Sequence, residues 1–344
     1  MINLIDLKSV QYDALETFFR ELGEPPYRAK QVFSWLGSGV SSYDEMTNIP
    51  KSLREKLTET ATLSGIKCAA RYLSKDGTVK YIWELQDGQC IESVVMRYHH
   101  GRSICISTQV GCRMGCKFCA STLGGKVRNL TAGELLDQVL FAEKDLGERI
   151  SNVVLMGIGE PFDNYEQVVV FLKNISHPAG RNLGLRHISI STCGLVDKIL
   201  ALAEENLPVT LLISLHAPNN ELRDELMPVN HKYPMEILLE ACRTYILKTG
   251  RRISFEYTMI RGVNDFDWCA KMLAQKLHGM LCHVNLIPVN HVEENGLRRS
   301  EPETIERFQK CLQQHHINAT VRRELGSDIS ASCGQLRRKF MKER

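Results

Sequence analysis

A chain of 344 residues with 43% hydrophobic and 24% charged side chains has room for one large domain and a small one, and its composition is that of a globular protein, not a fibrous or disordered one. No run of about 18 apolar residues occurs, which speaks against a membrane-spanning helix, and the opening MINLIDLKSVQYDALETFF lacks the basic n-region and apolar stretch of a secretory signal, so a cytoplasmic protein is expected. The net charge of +3 is too small to indicate nucleic acid by itself.

Residues 1 to about 60 read as helical. Two short periodic stretches, 12–22 and 26–36, flank the breaker Gly23-Glu24-Pro25-Pro26, and a third covers about 50–61. Residues 65–108 change character. Thr78-Val79-Lys80-Tyr81-Ile82-Trp83 and Cys90–Tyr98 are β-rich, preceded by the turn Lys75-Asp76-Gly77 and separated by Asp87-Gly88. From about residue 103 strand-like runs recur at 103–108, 152–156, 186–191, 209–215, 253–259, 282–287 and 319–322, with helical stretches between most of them. Residues 131–146 form the strongest helix: Thr131 and Glu134 make a capping-box pattern, and Ala132, Leu135, Leu136, Val139 and Leu140 share a face. This alternation predicts an α/β fold with a parallel sheet covered by helices. Six or so units suit a barrel, a partial barrel or an open sheet; in each, the active site belongs at the carboxyl ends of the strands.

The chain has 12 cysteines. Without a secretory signal, this cysteine usage points to metal or catalytic roles over disulfide stapling. Cys68, Cys90, Cys242, Cys269, Cys282 and Cys311 are scattered and read as small packed hydrophobes. The strongest signal is the C-x3-C-x2-C run Cys112-Arg113-Met114-Gly115-Cys116-Lys117-Phe118-Cys119, just past the first strand of the alternating region. Thiolates suit zinc and iron–sulfur clusters. A structural zinc site or a fully ligated cluster takes four ligands; this loop supplies three, leaving one position for something else. A zinc knuckle completed by Cys105 or a histidine is the plainer alternative. Gly111 and Gly115 permit a tight loop, and Phe118 would keep water from the metal. The second signal, Met156-Gly157-Ile158-Gly159-Glu160-Pro161, follows the next strand and presents carbonyls and a carboxylate suited to an ammonium group.

Together these motifs resemble the radical S-adenosylmethionine (SAM) superfamily. Cys105-Ile106-Ser107-Thr108-Gln109-Val110-Gly111-Cys112, Arg128-Asn129-Leu130-Thr131, Ser214-Leu215-His216-Ala217, Val284-Asn285-Leu286-Ile287-Pro288 and Ser332-Cys333-Gly334-Gln335-Leu336 resemble, more narrowly, the RlmN/Cfr family of RNA adenine methyltransferases. The resemblance spans nearly the whole chain. Val110 and Pro161 are similar to the RlmN branch, whereas Cfr-type chains, which methylate C8, tend to differ at both places.

The resemblance implies a partial (β/α)6 radical-SAM barrel with a small N-terminal helical and α+β accessory domain. Residues 1–64 would be a helical RNA-binding-like domain, 65–102 a β-rich extension, 103–330 the core, and 331–344 a basic segment carrying Cys333. It implies one [4Fe–4S] cluster on Cys112, Cys116 and Cys119, two SAM molecules per turnover, and SAM contacts at Gly159, Glu160, Ser191, Ser214, Leu215, His216 and Asn290. The implied reaction is methylation at C2 of an adenine in 23S rRNA, and in some tRNAs. That carbon is electron-poor and has no lone pair for a methyl sulfonium, so a radical route is needed. Cys333 takes a methyl group from the first SAM. A radical made from the second SAM takes a hydrogen from that methyl, and the carbon radical adds to C2. Glu92 removes the C2 proton, which calls for a sheltered carboxylate. Cys105 resolves the protein–RNA crosslink by forming a disulfide with Cys333. Arg322, Arg323, Arg337, Arg338 and Lys339 flank Cys333 and are read as phosphate contacts, and the target base must leave its stack. The expected partners are 23S rRNA, tRNA and an electron donor such as flavodoxin or ferredoxin, with no membrane and a monomeric chain. Cys193 is a thiol this family would not need. The competing readings are Cfr-like C8 methylation and a non-catalytic zinc protein that binds RNA.

Overall fold

The computed structural model describes residues 4–99, 101–290, 296–329 and 331. The N-terminal module comprises β1 (Ile5–Asp6), α1 (Tyr12–Glu21), α2 (Pro26–Gly37), α3 (Lys51–Thr60) and β2 (Ala61–Thr62), with β1 and β2 paired in parallel. Pro26 opens α2 at a position where no amide donor is needed. The helices pool Leu15, Phe19, Val32, Phe33, Leu53 and Leu57 into a core of their own. Lys8, just past β1, reaches out of this module.

Strands β3 (Lys67–Leu73), β4 (Val79–Glu84), β5 (Cys90–Tyr98) and β6 (Gly101–Ile106) form an antiparallel meander. A short hairpin, β7 (Gln109–Gly111) with β8 (Lys126–Asn129), follows. Then come α4 (Ala132–Leu146), β9 (Ile150–Leu155), α5 (Tyr165–Ser176), β10 (Ile188–Thr192), α6 (Val196–Glu204), β11 (Thr210–Ser214), α7 (Asn220–Leu226), α8 (Met235–Thr249), β12 (Ile253–Met259), α9 (Asp267–Leu277), β13 (Cys282–Pro288), α10 (Pro302–Gln314) and β14 (Ala319–Val321). The capping box of α4 is formed: Thr131 Oγ1 accepts the Glu134 amide at 3.2 Å, and Glu134 accepts the Thr131 amide at 2.9 Å. Gly147, at φ 63°, ends the helix in the left-handed region.

One ten-stranded sheet runs β14-β13-β12-β11-β10-β9-β6-β5-β4-β3, parallel from β14 to β6 and antiparallel beyond. Strand alternation sorts its faces. Leu155, Ile190, Ile213, Phe255 and Val284 point outward and join the apolar side chains of α4, α5, α8 and α9 in the main core. Ser191, Ser214, Glu256 and Asn285 point inward. The inner face is therefore polar, as a ligand-holding barrel requires. The sheet is curled: the Arg322 guanidinium, one residue past β14, donates to Met156 Sδ, one residue past β9, at 3.1 Å. In a flat sheet five strand spacings would hold those positions roughly 24 Å apart. This contact decides for the partial barrel over the open sheet.

Candidate active site

A cavity of about 210 Å³ opens at the carboxyl ends of the barrel strands. Of the residues singled out in the sequence, Cys112, Cys116, Cys119, Gly159, Glu160, Ser191, Ser214, His216 and Asn290 all line it. They come from separate loops, and the crossovers bring them together.

The cysteine loop hangs from the β7–β8 hairpin. The Cys112 amide donates to Gly125 O at 3.0 Å, and Gly111, at φ 75°, has no space for a Cβ, which would run into that same oxygen. Farther along, the Lys117 amide donates to Leu226 O at 3.0 Å and the Cys119 amide to Cys116 O at 3.1 Å. Phe118 packs edge-on against the His216 ring with centroids 4.7 Å apart. Burial pushes the Cys112 thiol up to about 12 and raises the Cys116 thiol as well. Both are thiols until a metal displaces their protons, so loading is proton-coupled.

The Gly-x-Gly-Glu-Pro turn is clamped to this hairpin. A Cβ on Gly157 would come within 2.6 Å of Ile106 O, and one on Gly159, at φ 107°, within 2.6 Å of Gln109 Cβ. Glu160 is buried, and its carboxylate accepts the amides of Phe162 at 3.0 Å and Cys193 at 2.7 Å. It thus ties the ends of β9 and β10 together. Asp163 is a hub that sequence reasoning missed. It accepts from Gln109 Nε2 and Lys126 Nζ, each at 2.8 Å, and from Arg113. Burial pushes its carboxyl up, but these donors outweigh that and leave it below the usual carboxylate range.

On the far side, His216 is buried at φ 54° and its Nδ1 accepts the Thr258 amide at 2.9 Å, which leaves Nε2 to carry the proton. Burial, with Arg223 nearby, lowers its pKa to about 3, so the ring is neutral. Arg223 is wholly buried and donates to the carbonyls of Leu215, Cys193 and Ser214 and to Asn230 Oδ1, strapping the ends of β10 and β11. Leu215 is different from its neighbours: its side chain is buried in the main core, and its backbone amide donates to Glu256 O at 3.1 Å. Cys193 lines the cavity too, with its thiol pushed well up by burial.

Glu92 and Cys105 lie outside the cavity lining, on β5 and β6. Val94 pairs with Cys105 and with Lys80, so Lys80, Glu92, Val94 and Cys105 share the inner face of the sheet. Glu92 is 4% exposed, sheltered as its expected role requires, and Lys80 Nζ lies 3.1 Å from its carboxylate. Arg322 faces the cavity and Met156, which differs from the phosphate contact expected of it. Arg323 is exposed. Cys333, Arg337, Arg338 and Lys339 lie outside the described residues.

The donor set can be tested against the group it would hold. Three cysteines from one loop line the cavity, a donor set that suits a cubane with one iron left for another ligand. The Gly159 turn lines the same cavity as the thiols, and Glu256 Oε1 is a buried acceptor on its wall with no hydrogen-bond partner among the described residues. A cluster with a polar nucleoside ligand fits these features. Glu256 carried a signal that could have been read: it is a single acid within the otherwise acid-free strand Ile253–Met259.

Residues 106–272 match the model of the radical SAM superfamily, and residues 2–63 match that of the ribosomal RNA large subunit methyltransferase N-terminal domain. A protein of Alkaliphilus oremlandii described as a "probable dual-specificity RNA methyltransferase RlmN" is 54% identical over 98% of both chains. One from Thermoanaerobacter sp. with the same description is 52% identical over 99% of this chain and all of its own. A crystal structure of a radical SAM methyltransferase from Sphaerobacter thermophilus superposes with a TM-score of 0.92 at 44% identity, covering 96% of this chain and 98% of that one.

Proposed function

The chain belongs to the RlmN family of radical SAM RNA methyltransferases, and from that premise we propose that it methylates C2 of an adenine in 23S rRNA and in tRNA by a ping-pong route through S-methylcysteine at Cys333. The supporting observation is a convergence. The three thiols and the positions matched to SAM contacts line one cavity, and Glu92 and Cys105 share the inner face of the sheet that bounds it.

Cys112, Cys116 and Cys119 would hold the [4Fe–4S] cluster, and the Gly159 turn with Ser191, Ser214, His216 and Asn290 would hold SAM. When bound, these groups supply a methyl cation equivalent in one half-reaction and a hydrogen-abstracting carbon radical in the other. The rest is the work of protein groups. The Cys333 thiolate takes the methyl and becomes the carrier. His216, fixed as the Nε2–H tautomer, offers a donor and no charge. Once the carrier carbon is bonded to the base, the odd-electron adduct gives up one electron, which a bound cluster would take back, and Glu92 takes the C2 proton. Lys80 holds that carboxylate in place. The Cys105 thiolate then attacks the Cys333 sulfur. The Cys333 S–C bond breaks with its electron pair going to the carbon on C2, which takes up a proton to become the product's methyl group, and the disulfide left behind must be reduced by an external dithiol or electron donor. A flavodoxin or ferredoxin is the expected electron source, the chain acting as a monomer in the cytoplasm.

The test uses rRNA deuterated at C2 or at C8 of the target adenine, read by mass spectrometry after turnover. Loss of the C2 label alone is expected. Loss of the C8 label would instead assign the Cfr-type reaction, and unmodified RNA with intact RNA binding would favour the non-catalytic reading.

A further inference from the structure

Glu256 has no part in the reaction just described, yet it places a buried carboxylate oxygen without a hydrogen-bond partner among the described residues on the cavity wall. It stands on the inner face of β12 and is 1% exposed. In register it sits between Ser214 on β11 and Asn285 on β13, with Thr320 of β14 beyond. Asn285 Nδ2 donates to its Oε2 at 2.9 Å. Its Oε1 is buried and has no hydrogen-bond partner among the described residues. Arg322 is the nearby cation, but that guanidinium donates to Met156 Sδ. A buried carboxylate oxygen left without a donor costs on the order of 1–3 kcal/mol or more, and this one faces the cavity. A ligand that brings a donor would remove that cost.

Position limits which donor. The cysteine loop and the Gly159 turn, where an amino-acid end would dock, lie at β7–β9. Glu256 is three strands farther round the curled sheet, on the wall of the same cavity. That places it at the nucleoside end of SAM. Its neighbours there are hydroxyls: Ser214 Oγ, which is 3.5 Å from Ser191 Oγ. A nucleoside offers two donor groups, the vicinal ribose hydroxyls and the exocyclic amine of the base. A wall of serine hydroxyls beside one charged acceptor matches the diol.

We infer, on the footing of the SAM site proposed above, that Glu256 Oε1 accepts a hydrogen bond from the ribose hydroxyls of SAM and so selects a ribonucleoside ligand. Glu256→Gln is a sharp probe. Because Asn285 Nδ2 donates to one side-chain atom of residue 256, that atom must stay an oxygen. The variant therefore turns its amide N–H2 toward the cavity; a hydroxyl oxygen can still accept from it, but the stronger charge-assisted bond to a carboxylate is lost.

The experiment is anaerobic calorimetry on the cluster-loaded full chain with S-adenosylhomocysteine, its 2′,3′-dideoxy analogue and its 6-deamino analogue. Wild type should bind the dideoxy analogue about tenfold more weakly than the parent, one charged hydrogen bond's worth. Glu256→Gln should lose about tenfold for the parent and nothing further for the dideoxy analogue, with the cluster absorbance unchanged. Equal losses for both ligands would overturn the contact, as would a penalty that follows the 6-amino group. Wild type that bound no ligand would overturn the SAM site and this inference together. Wild-type binding indifferent to the hydroxyls would overturn the inference alone, whatever the variant's stability.

Discussion

Lys80 Nζ stands 3.1 Å from Glu92 Oε2, with side chains 0% and 5% exposed, one residue pair away from Cys105 on the same face of the sheet. A buried ion pair of this kind sets position more than it adds stability. Glu92→Gln should lower turnover by about 10²-fold or more, the usual scale for a general base, and RNA covalently bound to the chain should accumulate. Lys80→Met should destabilise the fold by about 3–5 kcal/mol, because it leaves a buried carboxylate without its cation. Turnover by Glu92→Gln at the wild-type rate, followed by product quantification, would remove Glu92 from the site.

The thiols proposed as carrier and resolver should give opposite phenotypes. Cys333→Ala should abolish methyl transfer and form no RNA adduct, while the cluster spectrum stays intact. Cys105→Ala should make the adduct and fail to release it, visible as a denaturant-stable band of protein with RNA. Clean release by Cys105→Ala would remove its resolving role.

Glu256 should give stability a particular pH dependence. Burial, partly offset by Arg322 and Asn285, pushes its carboxyl up to about 7 from 4.5. The native state therefore binds the proton more tightly than the unfolded chain. Its contribution is full below about pH 4.5 and is lost as pH rises through about 7, an effect on the order of 3 kcal/mol. Burial also raises Asp137, Glu160 and several thiols, so the informative quantity is a difference. Urea unfolding of wild type and Glu256→Gln at pH 5 and pH 8 should show the wild type losing more stability on going to pH 8. Parallel changes in the two would refute the assignment.

Gly159→Ala places a Cβ 2.6 Å from Gln109 Cβ at a φ of 107°, a conformation that side chains rarely adopt. The turn must shift, so SAM affinity should fall at least tenfold while the three cysteines still bind iron. Unaltered affinity in equilibrium dialysis would show that this turn does not contact SAM.

Much of this architecture was legible before folding, for identifiable reasons. The parallel strands alternate with helices because each must bury an outer apolar row, so Ile188–Thr192 and Thr210–Ser214 announce themselves within a residue or two. The cysteine loop was legible because ligand spacing is local. The positions of Gly159, Glu160, Ser191, Ser214, Leu215, His216 and Asn290 came from family likeness, since nothing local marks a serine as a ligand contact. Strand β3 escaped notice because its residues are exposed or half-buried throughout, which erases the alternation that marks a strand. The β7–β8 hairpin is too short to show a period. Asp163 and Glu256 could not be assigned roles because their partners are distant in sequence: Arg113 and Asp163 are 50 residues apart, Glu256 and Asn285 29. Arg322 was read as a phosphate contact from its neighbours in sequence, but the curl of the barrel turns it toward Met156.

Electron paramagnetic resonance of the anaerobically loaded, reduced chain, with and without SAM carrying 15N and 17O in its methionine amine and carboxylate, directly tests the proposal that one iron is left open for SAM. The expected result is a four-iron signal that shifts when SAM is added and acquires hyperfine couplings from both labels. A signal that ignores SAM, with all four irons held by side chains of the protein, would contradict the mechanism at its root.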